Sequence, residues 1–140
     1  MSFRLKAFLF ALAIGGGTVA ASILATTMPF HDPISLREEW GGYLIEMLLV
    51  ALPFIALALL AERSLLLWGA ALAVTFLLWG FYVFEAVSYR REGSSVLAHM
   101  GFDVLLFAYP LLLTPTLIVV SLIRKLLTRR RNEKLSSSRT

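Results

Sequence analysis

Three carboxylates and one imidazole stand near the ends of long apolar stretches. They are Glu46, Glu85, Asp103 and His99, and His99 precedes Asp103 by four residues, so both side chains share one helix face. Carboxylate and imidazole groups are ligands for divalent cations such as zinc, manganese and iron(II). Carboxyl groups crowded in a medium of low dielectric constant can instead hold protons for coupled transport. The four residues are therefore a candidate polar cluster for protons or a divalent metal.

A structural interpretation of the same acidic residues stays open. Glu85 directly follows a 20-residue apolar stretch and Asp103 directly precedes another, which is typical of positions at the membrane interface. Glu46 differs, because the apolar stretch after it has only 15 residues. That length covers about 22 Å as a helix, against a hydrocarbon core of about 30 Å. This span therefore either includes Glu46 or thins the membrane around it.

The composition indicates that the whole chain belongs to the membrane. Of its 140 residues, 59% are hydrophobic and 16% are charged, and the mean hydropathy is +0.80. Soluble domains carry roughly 25% charged residues. These values exclude a soluble globular enzyme, a disordered protein and a nucleic-acid-binding module. The chain has no cysteine, which also excludes disulfides, thiol chemistry, cysteine-bound metals and iron–sulfur clusters.

Charged residues separate four apolar stretches, each close to the length of a transmembrane helix. Backbone amides in lipid must be paired within the chain, and no strand alternation is visible. We therefore expect an all-α integral membrane four-helix bundle, made of two antiparallel hairpins with short loops. Spans two and three are joined tightly through residues 62–64. The predicted spans are 7–28, 44–61, 65–87 and 98–123, within a transmembrane domain of residues 1–123.

The basic residues predict the direction of the chain. Ten of the 13 lie on the side of the two termini, and three, Arg37, Arg90 and Arg91, lie on the other side. By the positive-inside rule, we expect a multi-pass protein of the plasma (inner) membrane with both termini cytoplasmic. An alternative for the first span is a signal peptide cleaved before Ser22.

Residues 124–140 form a basic tail directly after the last span. It holds seven basic residues and one acidic residue, a net charge of +6. We expect it to be disordered, cytoplasmic and attracted to anionic lipid, by about 1 kcal/mol for each basic residue near the surface. Its place beside a span argues against nucleic acid as the partner. The residues assigned to headgroup binding are Arg124, Lys125, Arg129, Arg130 and Arg131.

Small residues recur at helical spacing on the first and third spans. In lipid, close backbone approach holds helices together, because apolar surfaces gain little from facing one another. The predicted packing residues are Ala11, Gly15, Thr18 and Ser22 on the first span, and Gly69, Ala73 and Gly80 on the third. We expect both faces to lie inside the bundle. The alternative is a surface for a homo-oligomer or a membrane partner.

The sequence holds no phosphate-binding loop, dinucleotide fingerprint, zinc-protease motif or serine-hydrolase motif. It favours a small polytopic membrane protein without an evident catalytic motif, acting as an accessory, assembly or interaction subunit. The alternative is a proton-coupled transporter or a divalent-metal-handling protein that uses the predicted polar cluster. No cofactor is expected apart from a divalent metal in that alternative.

Overall fold

The described part of the chain folds into four long helices. The computed structural model describes residues 2–30, 36–92 and 102–137. A 3₁₀ turn, Met28–Phe30, follows the first helix, and the described residues contain no strand. The all-α prediction is confirmed. The helices are α1 (Phe3–Thr27), α2 (Leu36–Leu59), α3 (Leu65–Glu92) and α4 (Phe102–Ser137).

Each of the four helices, α1 together with the 3₁₀ turn after it, provides a segment that is long and apolar enough to cross a membrane. The mean hydropathies of these segments lie between 1.9 and 2.2. They overlap the four predicted spans, although residues 98–101 of the fourth lie outside the described residues. The segments are Phe3–Phe30, Glu39–Leu59, Leu65–Arg91 and Val104–Glu133. The described helices therefore fit a small multi-pass membrane protein.

Helix α2 is central to the packing of the bundle. It contacts α1 along the longest interface and α4 along the next longest, whereas the described residues of α1 and α4 have no close backbone contact. Helix α3 contacts both α1 and α4. The connection between α2 and α3 is as short as predicted, but these two helices contact each other only slightly. They lie across the bundle from each other rather than side by side.

The close contact between α1 and α2 is made possible by a glycine. A Cβ atom on Gly15 would stand 3.0 Å from the Cβ of Ala51 and would collide with the carbonyl oxygen of Met47. The absence of a side chain at Gly15 therefore lets the two backbones approach. The structure buries the four residues of this predicted face, Ala11, Gly15, Thr18 and Ser22.

Helix α3 is rotated differently from the prediction. Gly69, Ala73 and Gly80 are exposed on the outside of the bundle instead of facing its interior. The buried residues of α3 recur every four positions and are Leu67, Ala71, Thr75 and Trp79.

Hydrogen bonds of two tryptophans explain this rotation. The Trp68 indole donates to the backbone oxygen of Glu62 at 3.0 Å, and the Trp79 indole donates to the Tyr109 hydroxyl at 3.2 Å. A tryptophan N–H placed in lipid would lose its partner. Small residues exert no comparable preference, because lipid chains are as apolar as a neighbouring helix.

The described residues form two apolar cores inside the bundle. One lies at the tail end, where α2 joins α3 and the basic segment of α4 projects. It contains the fully buried Phe54 and Leu57 of α2 and Leu117 of α4. The other lies towards the opposite end, called the far end here, and includes Val50 and Trp79.

The basic tail differs from its prediction of disorder, because α4 continues as a helix to Ser137. Residues 124–133 contain no glycine or proline and are rich in leucine, arginine and lysine, which favour helix. The Thr128 hydroxyl donates to the backbone oxygen of Arg124 at 2.9 Å, within the same helix. The described side chains of this segment are exposed.

Candidate functional site

A polar cavity of about 440 Å³ opens among the helices at the far end. All four helices contribute to its wall. On α2 its lining residues include Glu39, Tyr43 and Glu46, at intervals of four and three residues. This spacing places the three side chains on one face of the helix. The polar lining on α2 therefore consists of three residues on one helix face, and not of one isolated polar residue.

The α2 wall carries two carboxylates in different settings. Glu39 is exposed at the mouth, where the Tyr43 hydroxyl donates a hydrogen bond to its Oε2. Glu46 is half-buried, about two helical turns deeper. No hydrogen-bond donor or cation among the described residues contacts Glu46, and the charge acting on it is that of Glu39. Glu46 is therefore the carboxylate that lacks an internal partner in the described structure.

The α1 wall presents hydroxyl oxygens whose protons are already engaged. The Thr26 hydroxyl donates to the backbone oxygen of Ser22 at 2.9 Å, and the Thr27 hydroxyl donates to that of Ile23 at 2.7 Å. Both threonines line the cavity, and so does Ser22, which is only 7% exposed. Their free lone pairs can accept hydrogen bonds from a bound molecule.

The floor of the cavity belongs to the far-end core. It includes Val50, Trp79 and Leu106, and the Trp79 indole is fixed by its hydrogen bond to Tyr109. The ring of Tyr82, which also lines the cavity, stands edge-on to Trp79 at a centroid distance of 5.8 Å. The cavity thus ends on packed aromatic and aliphatic side chains.

Arg90 ties the ends of α3 and α1 together at the far end. Its guanidinium donates to the backbone oxygen of Thr26 at 3.1 Å and lies 4.7 Å from the centroid of the Phe30 ring. This contact holds the α1 wall of the cavity beside α3.

The predicted cluster of four residues is placed only in part. Glu46 lines the cavity, whereas Glu85 is half-buried on α3 and does not appear in the described lining. Asp103 lies in the first turn of α4 with its side chain outside the described part, and His99 lies outside the described residues. No group of three metal-ligating side chains occurs among the described residues. Convergence of the four, and a metal bound by them, stay predictions.

A second polar site, at the tail end, was missed by sequence reasoning. It begins where α2 ends. Ala61 adopts a left-handed conformation with φ of 50°. The amide of Glu62 donates to the backbone oxygen of Leu57 at 2.9 Å, and the amide of Ala61 donates to that of Ala58 at 3.0 Å. These bonds define a Schellman motif that ends α2 and turns the chain towards α3.

The Glu62 carboxylate then joins this turn to two other helices. Its Oε1 accepts from the Ser64 amide at 3.0 Å and its Oε2 accepts from the Ser121 hydroxyl of α4. Arg124 stands 3.8 Å from Oε1. Burial alone would raise the pKa of Glu62, but the hydrogen bonds from Ser121 and Ser64 and the charges of Arg124 and Lys125 together lower it below its usual value. The carboxylate is thus held in its charged form.

The structure divides the predicted headgroup-binding residues into two groups. The Lys125 ammonium donates to the backbone oxygen of Leu60, and Arg124 pairs with Glu62, so both also serve the tail-end junction. The remaining three, Arg129, Arg130 and Arg131, lie further along the exposed helix.

The chain matches no model of a known protein family, no curated protein and no solved structure. The four apolar helices and the polar cavity at one end define a small four-helix membrane protein.

Proposed function

We propose that this membrane protein binds a small ligand or ion in the far-end cavity, as a transporter or a ligand-handling protein. The observation that carries the proposal is the half-buried Glu46 in the wall of a cavity of about 440 Å³. Ligand sites usually fall between about 300 and 1,000 Å³. A carboxylate at membrane depth costs several kcal/mol unless it is paired or solvated. A bound ligand or proton would supply what the described residues do not.

The predicted orientation gives the cavity a side. If both termini are cytoplasmic, the cavity opens to the outside of the cell and the tail-end core lies between it and the cytoplasm. Transport through the bundle then needs a second conformation, in which the floor at Trp79 opens. Binding alone needs no such change.

Labelling of introduced cysteines tests whether the cavity admits water-soluble molecules. The chain has no cysteine, so a Thr27→Cys variant carries one thiol, in the cavity wall. The matched control is Leu112→Cys, because Leu112 is 67% exposed on the outer surface of α4. We expect this surface to face lipid. In nanodiscs, a neutral hydrophilic maleimide should label the thiol at 27 and leave the thiol at 112 unlabelled. Failure to label position 27 would contradict a water-filled binding cavity.

A second function, as an interaction or assembly subunit, is favoured by a different observation. The small-residue face of α3, formed by Gly69, Ala73 and Gly80, is exposed on the outside of the bundle. A groove of about 490 Å³ between α1 and α3 lies beside it and is lined by Gly17 and Gly80 among others. Such faces let a further helix approach closely. We assign it to a second copy of the chain.

Crosslinking tests this second function. Ala73→Cys should form disulfide-linked dimers in membranes under mild oxidation, whereas Leu112→Cys, at an exposed position of α4, should not. Equal crosslinking at both positions would indicate random collision instead of a defined homo-oligomer. Crosslinking of position 73 to a different protein would indicate a membrane partner instead of a homo-oligomer.

A further inference from the structure

We infer that the far-end cavity selects a small organic cation, such as an amine with an ammonium group, over anions and neutral molecules. This inference deepens the proposed binding function and rests on it. It depends on three features of the wall, which are its hydrogen-bonding pattern, its charge and its aromatic rings.

Most of the hydroxyl and N–H protons in the wall are already engaged, so the wall offers more acceptors than donors. The hydroxyl protons of Thr26 and Thr27 are engaged by backbone oxygens of α1, and the Tyr43 proton is engaged by Glu39. The Trp79 indole proton is engaged by Tyr109. The Ser22 hydroxyl, in a residue only 7% exposed, lines the cavity with no hydrogen-bond partner among the described residues, so it can accept a hydrogen bond from a ligand or donate one. A ligand rich in N–H groups complements this wall.

The charge of the wall is negative. Glu39 and Glu46 are the charged residues of the described lining, and they stand about 10 Å apart along α2. The guanidinium of Arg90, which lies nearby at the rim, contacts a backbone oxygen and an aromatic ring and is not part of the described lining. An anion would meet two carboxylates without a compensating lysine or arginine from that lining. A cation gains from both.

Aromatic rings favour an organic cation over a bare metal ion. Tyr43, Trp79 and Tyr82 line the cavity, and an ammonium group is attracted to the faces of such rings. A cavity of about 440 Å³ is also much larger than one ion needs. The described lining supplies two carboxylates and no third metal ligand of the histidine or acidic type.

The test compares thiol reagents of opposite charge at the same cavity cysteine. In the Thr27→Cys variant, a trimethylammonium methanethiosulfonate should react at least about tenfold faster than a sulfonate methanethiosulfonate, after correction for their rates with a free thiol. Adding Glu46→Gln, which keeps the shape and removes the charge, should reduce this ratio several-fold. Thr26→Cys provides a second reporter position, and size-exclusion profiles check that each variant is folded.

Protection by a ligand completes the experiment. Butylammonium should slow the labelling of position 27 by a neutral reagent, butanol of similar shape should not, and Glu46→Gln should remove the protection. A charge ratio equal to that of a free thiol, or equal protection by butanol, would overturn the cation inference while leaving a water-filled cavity in place. Absence of labelling by every reagent would instead overturn the proposed binding function itself.

Discussion

The hydroxyl of Ser121 donates a hydrogen bond to the carboxylate of Glu62, which lies 59 residues earlier in the chain. Through this bond, α4 is attached to the turn that joins α2 to α3. Ser121 is fully buried and Glu62 is 7% exposed, so the contact lies in a medium where a charge needs its partners. The bond therefore joins helices that apolar contact in lipid would hold only weakly.

Removing this hydroxyl should destabilise the bundle. Ser121→Ala leaves a buried carboxylate oxygen without its donor, and we expect a loss of about 1.5–3 kcal/mol in the free energy of unfolding. Thermal unfolding in detergent measures it. The control is Thr116→Ala, which removes an exposed hydroxyl bonded to its own helix at 2.8 Å and should change stability by less than about 0.5 kcal/mol. Equal effects of the two substitutions would contradict the role given to Ser121.

Stability should also depend on pH through Glu62. Its pKa in the folded protein is lower than the ordinary value of 4.5. A carboxyl group of this kind stabilises the fold fully above its unfolded-state pKa, and this contribution is lost as the pH falls through the folded-state value. Melting temperatures of the wild type and Glu62→Gln should therefore differ most at neutral pH and begin to converge as the pH falls below about 4.5. A difference that stays constant down to pH 3 would argue against this linkage.

Ala61→Gly should stabilise the protein. Ala61 has φ of 50°, a conformation that costs an L-residue about 1–2 kcal/mol, whereas glycine adopts it freely. After the added entropy of glycine in the unfolded chain, we expect a net gain of about 0.5–1 kcal/mol. Ala70→Gly, at an exposed position inside α3, should lose up to about 1 kcal/mol. In thermal unfolding, Ala61→Gly should raise the melting temperature and Ala70→Gly should lower it. Equal losses of stability in the two variants would contradict the Schellman turn.

Adding a single methyl group at the α1–α2 interface should destabilise the protein. Gly15→Ala places a Cβ against the Met47 carbonyl oxygen and 3.0 Å from the Ala51 Cβ, so the helices must separate. We expect a loss of about 1–3 kcal/mol, as for other overpacked sites. Gly17→Ala, on the same helix, meets nothing within 4 Å and should be neutral or slightly stabilising. Similar unfolding temperatures for the two variants would exclude the close approach at Gly15.

We propose that the outer three arginines of the tail, Arg129, Arg130 and Arg131, bind anionic lipid headgroups. Replacing all three by glutamine should weaken the retention of phosphatidylglycerol, measured by native mass spectrometry, by about 1 kcal/mol for each residue. Replacing Arg124 and Lys125 by glutamine should chiefly lower the unfolding temperature, because these residues contact Glu62 and Leu60. The reverse result would assign headgroup binding to the inner pair.

The helices were predictable because the requirement behind them is local. Each apolar stretch must pair its own backbone amides to enter lipid, and its length is visible in the sequence. The burial of Gly15 could be anticipated for a similar reason, since small residues at helical spacing permit close contact. The orientation of α3 could not, because Gly69 and Gly80 permit a contact without requiring one, while Trp68 and Trp79 each need a specific acceptor elsewhere in the fold.

The two polar sites were predictable to different degrees. Glu46 could be singled out because the apolar stretch after it is too short to cross a bilayer. Glu62 stands in a short connection, where an acidic residue is ordinary, and its main partner is 59 residues away. The available signal was on α4, where Ser121 interrupts an apolar stretch three residues before Arg124, on the same helix face.

Helix α4 is continuous from Phe102 to Ser137 and is attached to the turn between α2 and α3 at Ser121. From Ser121 to Ser137 the helix extends about 24 Å, so a tilt of about 10° about Ser121 would displace the end of the helix by about 4 Å. Any rearrangement that tilts α4 would therefore move its arginines along the membrane surface. A small change inside the bundle would become a larger displacement for whatever binds the arginines.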